Sequence, residues 1–357
     1  YIPEFIAGVW SWYLHPGNLE DEEFVTKAAL MHGAKGFSRY MLVERDRWFD
    51  SPIRRDGRVR EDQFDMFHRV NEVLKTNDFV DLRRQADVLL LANRDYDRLE
   101  AASVLVSFPG DFLETPSGFS EYANFITISE KSLGFEQSIP LAKSGWFTGA
   151  YGGLTDAGYP FLLSDTALKP DRWQRFKAIV LGSYEYLNGD LQRNLVEFVK
   201  SGHTVVLGPK VPNFDEQMVA DPTLESAMKG SKASPLLVSG LEIGTVYQLE
   251  KGKFVLITDW AKPADALKAA LADSGLVRFT RNDPRLDVTI HAQAGQENRL
   301  VVFLANPTAD TINAKLSLDP KINTAKDLWG DRKVDVKDGI LSETMPPYTI
   351  SIYECTL

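Results

Sequence analysis

The chain has 357 residues, 44% of them apolar, and a formal net charge of -10 from 40 basic and 50 acidic side chains. That apolar content supports two or three folded domains rather than a disordered polymer, and the acidic excess works against non-specific contact with nucleic acid or anionic lipid. The longest apolar runs fall well short of the ~20 residues a membrane-spanning helix needs, while the single cysteine, Cys355, excludes a disulfide framework and suits a reducing, cytoplasmic setting.

The chain opens YIPEFIAGVWSWYLHPG, with no initiator Met, basic region or apolar leader, so residue 1 reads as a point inside a longer fold. Residues 1–9 are predicted to be a short buried strand. Asn18 is a good N-cap for a helix carrying Glu20 to Glu23 in its first turn, with Phe24, Val25, Ala28 and Met31 as its apolar stripe and Gly33 as its stop. KGFSRYMLV (35–43) is strand-like, and Phe64, Phe67, Val70, Val73 and Leu74 predict a second helix over Glu61–Thr76. Strand, helix, strand, helix implies parallel strands with right-handed crossovers. Residues 1–83 are therefore expected to be the C-terminal part of a (β/α)8 barrel.

From Ala86 the pattern changes. ADVLLLANRDYDRL, FKAIVLGS (176–183) and HTVVLGP (203–209) are continuous apolar strands, the last two separated by the helical LNGDLQRNLVEFVKSG. They predict an open, doubly wound, flavodoxin-like α/β domain over 84–275. That domain would finish with strands at 245–249 and 253–260 and a helix near 264–273, with surface loops at 107–118 and 209–222. The tail, VTIHAQA, RLVVFLANP, AKLSL, KDLWG and YTISIYE, predicts a small antiparallel β-sandwich over 276–357, with Trp329 in its core.

In a parallel barrel the chemistry lies at the C-terminal ends of the strands. One such end holds Glu4 between a proline and a phenylalanine; the other runs into ERDRWFDSPIRRDG, where carboxylates and guanidiniums alternate with aromatic rings. Charged groups for hydroxyls and ring faces for C–H surfaces suit a sugar. Glycoside hydrolysis with retention needs two carboxylates about 5–5.5 Å apart, one of them a nucleophile. Glu4 fits that role, or else forms a fold-stabilising ion pair with Arg39 or Arg45. His15, His32, His68, His203 and His291 have no metal-ligand spacing, no glycine-rich phosphate loop is present, and Gly182–Ser183 lacks the cysteine of an amidotransferase turn. No metal or cofactor is expected.

PEFIAG followed by KGFSRYMLVERDRWFDSPI resembles the end of the catalytic barrel of the glycoside hydrolase family 35 and 42 β-galactosidases, with a nucleophile on strand 7. LNGDLQRNLVEFVKSGHTVVLGP, LVVFLANPT and MPPYTISIYE extend the likeness to an amidotransferase-like domain and a terminal β-domain, the domain order of family 42. The resemblance implies a retaining exo-glycosidase acting on terminal β-galactosides, with Glu4 as nucleophile and Trp10, Trp12, Tyr40, Glu44, Arg47 and Trp48 around the sugar. It places the acid/base on a glutamate after an asparagine on strand 4, ahead of residue 1, so the implied partner is an N-terminal barrel segment or chain supplying that glutamate. It also implies self-association through the middle domain. VERDRW stands where family 35 commonly has glycines, which leaves the substrate preference open. An exo-β-glucosaminidase, which shares the architecture, and a non-catalytic assembly or sugar-binding subunit, whose barrel remnant only docks on a partner, stand as alternatives.

Overall fold

The computed structural model describes residues 1–10, 18–98, 139–293 and 295–356. The chain divides into two compact units, Tyr1–Gln85 with Phe279–Leu357, and Ala86–Arg278.

The first unit begins with β1 (Ile2–Ile6), β2 (Val9–Trp10), α1 (Leu19–Met31), β3 (Phe37–Tyr40), β4 (Trp48–Phe49), α2 (Glu61–Thr76) and β5 (Leu82–Arg84). β1 and β3 pair in parallel, and β2 pairs with β4 antiparallel. Asn18 caps α1, its side chain accepting the Asp21 N–H at 2.7 Å. On α2 the buried positions are Gln63, Met66, Val70 and Val73, whereas Phe64, predicted to belong to the stripe, is exposed. The β1–β3 pair is covered on one face only. Phe5 meets Phe37 at 5.0 Å on the covered face, whereas Pro3, Glu4, Ser38 and Tyr40 are exposed. The expected buried strand is thus half-covered, and Glu4 stands on its open side.

The second unit comprises β6 (Val88–Ala92), α3 (Ile139–Ala157), β7 (Phe161–Asp165), β8 (Ala178–Ser183), α4 (Gly189–Lys200), β9 (Thr204–Pro209), α5 (Thr223–Lys229), β10 (Lys232–Val238), β11 (Leu241–Leu249), β12 (Gly252–Ile257) and α6 (Pro263–Ala270). Its sheet runs β10-β11-β12-β9-β8-β6-β7. The five strands from β12 to β7 are parallel and β10–β11 add an antiparallel edge. Alternate residues of the parallel strands feed two cores. Leu90, Val180, Val206 and Val255 pack with α3 and α6, and Leu91, Leu181 and Leu207 pack with α4 and α5. Both faces are buried, which is why these strands read as unbroken apolar runs. The predicted loop at 107–118 lies outside the described residues.

The first unit is completed by β13 (Thr280–Arg281), β14 (Asp287–Gln293), β15 (Gln296–Asn306), β16 (Ile312–Ser317), β17 (Thr324–Asp327), β18 (Arg332–Lys337), β19 (Ile340–Met345) and β20 (Thr349–Thr356). They form a nine-stranded sheet in the order β13-β16-β19-β18-β17-β20-β15-β14-β5, so a strand from the barrel-like segment forms its edge. One core gathers Leu286, Val302, Leu304, Leu316, Leu341 and Tyr353. A second joins Val301, Phe303 and Ile352 to Leu30 and Met31 of α1 and Val73 of α2. Trp329, expected in the sandwich core, is instead half-buried beside this second cluster.

Candidate active site

The site is built on the exposed end of the β1–β3 pair. The register Ile2↔Phe37, Phe5↔Arg39 leaves an irregularity at Pro3–Glu4. A bulge re-aims the side chain it carries, and bulges recur at barrel rims and beside active sites. Glu4 is exposed and makes no hydrogen bond or ion pair with any described residue. The ion pairs entertained from sequence are absent. Arg39 lies under β1, its guanidinium 4.7, 4.9 and 4.3 Å from the rings of Phe5, Phe37 and Phe67, with a hydrogen bond to Thr26 Oγ1 at 2.6 Å. Burial pulls the Arg39 pKa down to about 10 despite the Glu22 carboxylate nearby. Arg45 donates instead to the Tyr40 hydroxyl at 3.3 Å.

Beyond Glu4 the chain is held tightly. The Ala7 N–H bonds to the Tyr40 carbonyl at 2.9 Å, and the Ala7 carbonyl accepts the indole N–H of buried Trp48 at 2.8 Å. Tyr40 and Trp48 meet edge to face at 5.8 Å. Gly8 has φ +78°, and a Cβ there would sit 2.6 Å from the Phe49 carbonyl oxygen and 2.7 Å from Ser51 Oγ. The Gly8 N–H donates to Glu22 Oε1 at 2.9 Å, while Glu22 Oε2 is buried without a hydrogen-bond partner among the described residues. Burial raises the Glu22 pKa, the Gly8 hydrogen bond and Arg39 opposing it.

The structure therefore brings Tyr40 and Trp48 to the segment that follows Glu4. Trp10 enters through its backbone, which pairs with Trp48 in the β2–β4 ladder, and Trp12 lies outside the described residues. Glu44 is committed elsewhere. Its Oε1 lies 2.7 Å from an Arg60 nitrogen and accepts the Asp50 N–H at 3.0 Å, so it braces the loop after β3. Arg47 occupies an exposed tight turn at φ 66°, closed by the Trp48 N–H on the Arg45 carbonyl at 2.9 Å.

Sequence reasoning missed Gly8, Glu22 and Arg60. Gly8 was legible as a glycine four residues past the candidate carboxylate, whereas Glu22 looked like one of several first-turn acids on α1. Among the described residues no three His, Cys, Asp or Glu side chains are grouped to hold a metal. Ser183 is buried with its Oγ donating to the Lys210 carbonyl at 2.6 Å, a structural role.

The family model described as "GLMA-like, second domain" matches residues 128–246. A comparison with curated protein sequences finds no significant match. Among solved structures, the β-galactosidase from Bacillus circulans sp. alkalophilus is similar at 13% identity and TM-score 0.69, over 99% of this chain and 56% of that one. Gan42B, a GH42 β-galactosidase from G. stearothermophilus, gives 13% identity and TM-score 0.66 over 99% and 53%. The β-galactosidase from the haloarchaeon Halorubrum lacusprofundi gives 15% and 0.62 over 100% and 54%. The chain spans about half the length of each. At these identities the likeness is one of fold: the chain has the architecture of family 42 β-galactosidases, part of a (β/α)8 barrel, a doubly wound α/β domain and an antiparallel β-domain.

Proposed function

We propose that this chain carries the nucleophile of a retaining exo-glycosidase acting on terminal β-galactosides. The observation that carries the reading is Glu4, an unpaired carboxylate on a bulged strand end of a barrel-type β/α segment, with Tyr40 and Trp48 fixed beside the chain that follows it. In this mechanism the Glu4 carboxylate attacks the anomeric carbon and forms a glycosyl ester, while a second carboxyl protonates the leaving oxygen and then activates water. Because Glu44 is held by Arg60 and the Asp50 N–H, it serves the loop rather than that second role. The acid/base comes from a barrel segment or chain that completes the site. Tyr1, Tyr40, Leu42, Val43 and Phe49 are exposed, and they form apolar surface for that segment to cover.

In the assembled enzyme, Glu4→Gln should lower kcat by about 10³-fold or more. Glu4→Ala should regain turnover with azide, giving a glycosyl azide of inverted configuration. Near-normal turnover of Glu4→Gln would remove Glu4 from the nucleophile role. A panel of aryl glycosides separates the galactosidase reading from an exo-β-glucosaminidase.

A further inference from the structure

Outside the Glu4 region, the first unit has a groove of about 820 Å³ between α2 and the β-domain, lined by Arg69, Glu72 and Thr76 on one side and Lys326, Trp329 and Asp331 on the other. We propose that this groove is a second saccharide site, which binds a neutral oligosaccharide through Trp329 and Arg69. The ligand class rests on the glycosidase reading above.

The groove is a built site. Asp327 Oδ1 accepts the backbone N–H groups of Trp329 and Gly330, both at 3.0 Å, which fixes the loop bearing the indole. Lys27 sits 4.0 Å from the centre of the Trp329 ring. Lys27 is itself 3% exposed and paired with Glu23 at 2.5 Å, so the ring is supported from beneath by a group that cannot move away freely. A rigid, half-buried indole offers stacking area at little entropic cost. Its N–H has no hydrogen-bond partner among the described residues, and the Arg69 guanidinium, which lies over the ring 5.8 Å from its centre, has no ion-pair partner there. Both are open donors.

Charge decides between a neutral and an anionic saccharide. Arg69, Arg299 and Lys326 face Glu72, Asp78, Asp331 and Glu354, three cations against four carboxylates. Arg299 and Glu354 are paired at 2.5 Å and Lys326 and Asp331 at 2.8 Å. A groove so nearly neutralised gives an anion no net field, whereas hydroxyls can use its donors and acceptors in turn. Besides the indole, only Val73 and Leu328 are large apolar lining residues, too little for an apolar peptide anchor. The volume lies within the ~300–1,000 Å³ of small-ligand sites.

The test is titration calorimetry on the purified full chain with neutral β-linked tetrasaccharides of galactose, glucose and xylose, and with tetragalacturonate as the anionic control. At least one neutral probe should bind with about millimolar affinity or better. Arg69→Met, on an exposed helix face, and Trp329→Ala should each weaken it about tenfold or more, while Glu4→Gln leaves it unchanged. Thermal melting checks that both variants are folded. No binding of any neutral probe, equal binding by the folded Arg69→Met chain, or tighter binding of the anionic control would overturn the proposal. Hydrolysis is not read, so loss of the glycosidase reading and loss of the groove are separate outcomes.

Discussion

At the scale of single residues, two positions carry most of the consequence. Gly8 combines φ +78° with neighbours at 2.6 and 2.7 Å from any added Cβ. One of those neighbours is a backbone carbonyl, which cannot step aside. Gly8→Ala should therefore cost about 2–4 kcal/mol in denaturant unfolding, strain and overlap together; an unchanged midpoint would contradict the close approach. His291 is buried, its Nε2 donating to the Met31 carbonyl at 3.0 Å. Burial, opposed by that hydrogen bond and aided by Lys35, Arg84 and His32, lowers its pKa to about 3. Between pH 6.5 and 3 the unfolded chain binds a proton here that the folded chain refuses. Stability from this group is thus intact above pH 6.5 and falls by about 1.4 kcal/mol per unit as the pH drops through that window. His291→Gln, which keeps a donor for Met31, should flatten the slope of unfolding free energy against pH relative to the native chain; identical slopes would refute the assignment.

At the scale of elements, the helices with clear caps were legible. Asn18 and the acidic turn after it marked α1, and the spacing of Val70 and Val73 marked α2. α3 was not legible, because Gly145, Gly149, Gly152 and Gly153 break every local signal for a helix. Packing supplies the reason. A Cβ on Gly149 would come 2.1 Å from Trp260 Nε1, and one on Gly153 would come 2.9 Å from Leu267 and Pro263 of α6, whereas Gly152 has nothing within 4 Å. Trp260 stacks on Trp146 at 4.7 Å and 8°, so its ring has little room to give. Gly152→Ala should then stabilise by about 0.5–1 kcal/mol through helix propensity, while Gly149→Ala should destabilise by about 1–3 kcal/mol through overpacking. Thermal melts of the two variants moving in the same direction would refute this account of α3. β18 and β19 were also missed, although Asp338 and Gly339, at φ 54° and 73°, are the pair that a two-residue hairpin turn favours. The candidate site was legible as a carboxylate beside aromatic rings, but its bracing was not. Glu22 and Arg60 act through contacts 14 and 16 residues away in sequence, with Gly8 and Glu44 respectively, and no local pattern announces such contacts.

At the scale of the whole molecule, the fold follows that of family 42 β-galactosidases along nearly all of this chain while spanning about half of theirs. The division of labour proposed here rests on the state of the carboxylates. Among the described residues Glu4 has no hydrogen-bond or ion-pair partner, whereas Glu44 is bound to Arg60; we therefore assign the proton donor to a segment that would cover the exposed face of β1 and β3. The most direct test is to trap the intermediate. The assembled enzyme is incubated with a 2-deoxy-2-fluoro-β-galactosyl fluoride, whose slow deglycosylation leaves the sugar on the nucleophile, and the protein is digested and mapped by mass spectrometry. The account predicts one fluorogalactosyl group, esterified to Glu4 in the peptide containing YIPEFIAG; a label on any other residue would contradict it.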